Sequence, residues 1–178
     1  MGSAWAYEAL SFGGYWAWDP VENTSLVPWL LLIGGLHTHM VARKTNQSLR
    51  TTYFLYITAF VFVLYSTFLT RSGILEDTSA HAFTEMGLET QLTIFILFFL
   101  LGGMLLWLSR YNNIPQPERE ETIQSKEFWM FTGSLILLFS ALLITYSTSL
   151  PLVNNIAQLF DPNFEEMVIE DPIPHYNK

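Results

Sequence analysis

The sequence contains no cysteine. A disulfide framework, a thiolate metal site and a redox thiol are therefore excluded from this chain, and any thiol it acts on belongs to another molecule. Charge is also scarce: 13% of the residues are Asp, Glu, Lys or Arg, against roughly 25% in soluble domains. Basic residues are scarcest, with 8 Lys and Arg against 16 Asp and Glu and a net charge of −8, which argues against a nucleic-acid partner. The N-terminus shows no basic stretch leading into an apolar run, so no signal peptide is expected. No repeat with a period of about 20–50 residues is visible.

What the sequence has in excess is apolar surface, at 51% of residues. Charged side chains are missing altogether from residues 23–42, 51–70, 90–109 and 128–160. Each window reaches the roughly 20 residues that a helix needs to cross the ~30 Å hydrocarbon core of a bilayer. The second and third windows, FLYITAFVFVLYSTFL and TIFILFFLLGGMLLWL, are apolar almost all round, whereas helices buried in a soluble core would keep a polar stripe. The expectation is an all-α integral membrane protein with four transmembrane helices in contact with lipid. Arg43, Lys44 and Arg50 follow the first span, and Arg110, Arg119 and Lys126 follow the third, leaving Arg71 and Lys178 on the other side. The positive-inside rule then makes the N-terminal segment, the loop 71–89 and the acidic tail extracytoplasmic, periplasmic or its equivalent. Three regions result: an interfacial Trp-rich segment over residues 1–25, a four-helix membrane region over 26–150, and an acidic tail over 151–178.

The interfacial segment carries FGGYWAWDPVENTSLVPWL at residues 12–30. Asp19 suits the N-cap of a helix, Pro20 its first position, and Glu22 can complete a capping box. Pro28 is expected to kink or restart that helix. Gly13 and Gly14 permit a sharp turn before it. In an extended segment Trp16 and Trp18 point to one side, forming a flat apolar shelf beside the free amides of a helix N-terminus. A flat apolar ligand with acidic edges, such as haem with its propionates, fits both features. Plain interfacial anchoring is the alternative.

Four histidines are present, and imidazole is a standard axial ligand of haem iron. His37 falls within the first span, where an ionisable group is costly and functionally suspect, although a hydrogen bond to a neighbouring helix is an alternative. His39 is about 200° round the helix from it, so the two cannot share one ligand; it is expected to snorkel or to bond a neighbouring helix. His81 lies in the loop on the side of the tryptophans, and His175 lies in the tail. Arg71 ends the second span on the same side as Trp16, with a planar donor fork suited to a carboxylate such as a propionate, snorkelling at the interface being the alternative.

The run GGYWAWDPVENTSLVPWL resembles the tryptophan-rich WWD signature of the cytochrome c assembly superfamily, and its DPVEN form resembles the CcmF/NrfE haem lyases of cytochrome c maturation. The related CcsA-type proteins have Lys-Glu-Thr after Asp-Pro, where this chain has Val21-Glu22-Asn23. The resemblance continues through PWLLLIGGLH, TFLTRSGIL with SAHAF, and TSLPL. It implies that His37 is an axial ligand of a membrane-embedded haem b and that His81 is a ligand of a haem b presented on the WWD surface. It implies that Trp16, Trp18 and Asp19 contact that outer haem, and Arg71 is a candidate clamp for its propionates.

The implied activity is haem lyase, thioether ligation of haem to apocytochrome c, carried by the whole lyase or by a subunit or fragment of it. Implied partners are apocytochrome c, a periplasmic haem chaperone and other maturation subunits. No histidine precedes His37 and no further span follows the fourth. The chain is therefore expected to be one piece of a larger multi-span protein whose remainder supplies the second ligands. A haem-binding or delivery module without catalysis, and a membrane scaffold without cofactor, are the alternatives.

Overall fold

The charge-free windows fold as helices. In the computed structural model, which describes residues 16, 18–76, 78–79, 82–84, 87–115 and 123–167, the elements are α1 (Pro20–Thr45), α2 (Leu49–Arg71), α3 (Glu89–Arg110), α4 (Lys126–Thr148) and α5 (Leu150–Phe160). A 3-10 turn, Tyr111–Asn113, ends α3. The first four helices are long and apolar enough to cross a membrane, giving an all-α integral membrane protein.

Local chemistry sets the ends. Pro20 opens α1, and the Asp19 side chain accepts from the Val21 amide at 2.9 Å, satisfying one of the orphan donors of the first turn. Pro28 does not restart the helix: α1 runs unbroken from Pro20 to Thr45. Its other end carries Arg43 and Lys44, favourably placed against the helix dipole, and is closed by a left-handed Asn46. With Ser48 also left-handed, the chain reverses within three residues into α2. At α4 the Ser125 hydroxyl accepts from the Phe128 amide at 3.1 Å.

The spans pack in the order α3, α2, α1, α4. Of the most apolar stretch of α1, 44% is buried, against 0% for α3, so α1 is the central element and α3 presents itself to the surroundings. Val27, Leu30 and Leu31 of α1 meet Leu55 and Ala59 of α2 and Ala141 and Ile144 of α4. Apolar burial gives little drive for association in lipid, so close approach and hydroxyl bonds matter more. Thr52 donates to Thr38 at 3.0 Å and Ser66 to Thr24 at 2.9 Å, tying α2 to α1. Ser134 of α4 donates to the Gly34 carbonyl at 3.1 Å. Gly35 lets the Tyr56 ring lie so near that a Cβ there would sit 2.6 Å from Cε1.

Residues 150–160, at the junction of the membrane region and the tail, form a helix of their own. Leu150 opens it with Pro151 next in its first turn, and Asn154 anchors the chain that follows through two bonds to the Met167 backbone, at 3.0 and 3.1 Å.

Candidate functional site

At the Asp19 end of α1 the tryptophans make a corner and not the flat shelf expected from an extended segment. Trp18 adopts a left-handed backbone, with φ of 56°, which breaks the alternation. Its ring meets that of Trp16 edge to face, with centroids 6.0 Å apart and planes at 87°. Trp18 packs against the apolar cluster between the spans, while Trp16 stays 40% exposed. The pair thus divides into an anchor and an exposed face. The strained Trp18 is held by Asn23, whose Nδ2 donates to the Trp18 carbonyl at 3.1 Å. Asn23 is buried, and its Oδ1 has no donor among the described residues.

The loop after α2 folds back onto this corner. Leu75 is fully buried, and the amides of Thr78 and Ser79 both donate to its carbonyl. The Ser79 hydroxyl donates to Asp19 Oδ1 at 2.6 Å, the oxygen that also caps α1. The Phe83 amide returns to the Thr70 carbonyl at 3.0 Å, closing the loop on the end of α2. Arg71 lies over the Phe83 ring, 5.1 Å from its centroid. The structure therefore brings Trp16, Trp18 and Asp19 together with the loop that follows Arg71. His81 and His175 lie outside the described residues.

His37 stands apart, because α1 begins at Pro20 and seventeen residues of helix, about 26 Å, separate that end from the imidazole. Its Nδ1 is buried and has no hydrogen-bond partner among the described residues. A Cβ added at Gly133 of α4 would come 3.8 Å from this nitrogen, an ordinary contact, so α4 passes close beside the ring. An unpaired buried polar group costs about 1–3 kcal/mol. Iron coordination by the imidazole fits such a position, since it would give a half-buried histidine within the span a strong interaction. His39 does bond a neighbouring helix: its Nδ1 lies 3.1 Å from the Tyr56 hydroxyl on an exposed face.

Ser79 and Gly133 were not singled out by the sequence reading. The SAHAF run drew notice to the loop but contained no local signal that its serine reaches a residue sixty positions earlier. The helical position of Gly133 gives no indication of which residue on another span it faces.

Residues 1–75 match the family model described as cytochrome C assembly protein. The cytochrome c-type biogenesis protein ccl1 of Rhodobacter capsulatus is 38% identical over 160 residues, 90% of this chain and 24% of that protein. Cytochrome c-type biogenesis protein CcmF of Escherichia coli is 34% identical over 154 residues, 86% of this chain and 24% of its own length. NrfE of Haemophilus influenzae, also a cytochrome c-type biogenesis protein, is 42% identical over 107 residues, covering 58% and 16%. The chain thus spans about a quarter of the length of the first two relatives. No solved structure matches.

Proposed function

This chain belongs to the cytochrome c assembly family, in the company of CcmF and NrfE, and from that premise we propose that it handles haem in cytochrome c biogenesis. The observation that carries the reading is the tie between the tryptophan corner and the loop after α2, through Asp19 and Ser79. The cargo haem lies against the exposed Trp16 face on the extracytoplasmic side, with His81 on its iron and Arg71 near a propionate. Trp18 is the fixed post of this surface, since its ring is packed into the span cluster. Two thiols of apocytochrome c add across the vinyl groups of the haem to form thioethers, and each thiol proton ends on a former vinyl carbon. The work of the chain is to hold one large reactant in a single pose for the other, which is where positioning contributes most. It needs no cysteine of its own for this addition.

His37 would hold a second, resident haem b within the membrane, a reading supported by its buried Nδ1, which has no partner among the described residues. Such a group supplies electron transfer, at a potential tuned by its ligands and burial. Other chains of the assembly would supply the remaining iron ligands. A haem chaperone and other maturation subunits are the accompanying partners.

The test is covalent haem on a reporter cytochrome c in cells that depend on this chain together with the rest of its assembly. His81→Ala is expected to lower covalent haem at least tenfold, with the apocytochrome still made. Full maturation in His81→Ala would overturn the reading. Haem bound by the assembly without any maturation would replace ligation with delivery.

A further inference from the structure

We propose that Ser79 is a positioning residue, a latch that fixes the loop after α2 to the tryptophan corner through Asp19. The proposal rests on the function proposed above for its consequence, but its geometry stands alone. The hydroxyl donates to Asp19 Oδ1 at 2.6 Å, within the short range of charge-assisted O–H···O⁻ bonds, which are about twice as strong as neutral ones. The acceptor is itself tied to the helix. The same oxygen takes the Val21 amide at 2.9 Å, so the carboxylate is set by the first turn of α1. The donor is also prepared: Leu75 is fully buried beneath the loop, and its carbonyl receives the amides of Thr78 and Ser79, which fixes the turn that presents the hydroxyl.

A second tie completes the device. The Phe83 amide bonds to the Thr70 carbonyl, and the Phe83 ring lies under Arg71. Ser79 is two residues before His81 and Phe83 two residues after it, so the histidine is bracketed by one tie to α1 and one to the end of α2. Asp19 also adjoins Trp18 directly. One carboxylate oxygen therefore links the helix cap, the tryptophan corner and the loop that carries the proposed iron ligand. A reacting constellation tolerates about 0.5 Å of misplacement, and a loop carrying a ligand meets that demand only when it is fastened. The latch holds the loop against the tryptophan corner, and the function proposed above needs the two held together.

Because the chain has no cysteine, spin labels can be placed singly at Ser25→Cys and Thr84→Cys, both exposed positions on either side of the latch. The distance distribution between them is measured in lipid nanodiscs without haem. Ser79→Ala is expected to broaden it, while Thr78→Ala, which removes a hydroxyl bonded only within the loop to the Leu75 carbonyl, leaves it narrow. An unchanged distribution in Ser79→Ala, or equal broadening in both variants, overturns the latch. A haemin titration of the protein assembled with the partner chains it works with, monitored by the Soret band, then tests the consequence, with haem affinity expected to fall about tenfold in Ser79→Ala. If the unsubstituted protein shows no Soret band, the haem reading fails, and the distance measurement still decides the latch.

Discussion

Asp19 shows how much one residue can hold. Its role as N-cap is legible from Asp-Pro alone, because capping is local. Its bond to Ser79 is not, because nothing in a sequence reports a contact between residues sixty positions apart. The same division separates the two tryptophans. An interfacial placement is expected from residue type alone, but the left-handed Trp18 goes with the Asn23 side chain reaching back five residues to its carbonyl. Asn23→Ala is therefore expected to release Trp18 and to destabilise the protein by about 1–2 kcal/mol, read as a lower thermal unfolding midpoint in detergent. An unchanged midpoint would mean that the backbone of Trp18 is fixed by other contacts.

At the scale of elements, the four spans were readable because charge exclusion over about 20 residues is a strong signal. Their neighbours were not readable, because α1, α2 and α4 are joined by small residues and hydroxyls that occur on every span. Gly34 and Gly35 separate the two cases. A Cβ at Gly34 meets its nearest atom at 3.6 Å, an ordinary contact, whereas at Gly35 it would meet the Tyr56 ring at 2.6 Å. Gly34→Ala should change the unfolding midpoint little. Gly35→Ala should cost about 1–3 kcal/mol, as overpacking typically does, and displace the ring that bonds His39. A parallel contrast tests the seat of α3: Gly103 abuts Ile57, with a built Cβ at 2.7 Å, while Gly102 faces open space. Gly103→Leu is expected to loosen α3 from α2, and Gly102→Leu to be tolerated; equal tolerance would place α3 elsewhere. At the Lys44 end, the 3.2 Å pair of Lys44 with Glu127 joins α1 to α4, but Lys44 is largely exposed and the pair contributes little.

For the whole molecule, the tryptophan corner and His37 sit at two depths of one helix, about 26 Å apart along its axis. That separation gives the chain two candidate iron positions, each with one proposed ligand. The basic loops predict an orientation. Single cysteines at Ser25 and Gln47, at opposite ends of α1, should react with a membrane-impermeant maleimide in intact cells at position 25 and not at position 47. The reverse labelling would invert the topology and remove the corner from the side where cytochromes c are matured.

The most direct test of the central claim is the optical spectrum of the purified protein, assembled with the partner chains it works with, before and after two substitutions. The account expects a Soret band that loses one part of its intensity in His37→Ala and another part in His81→Ala, the two losses adding in the double variant. A band of full intensity in both single variants would contradict it, because neither imidazole could then be holding iron.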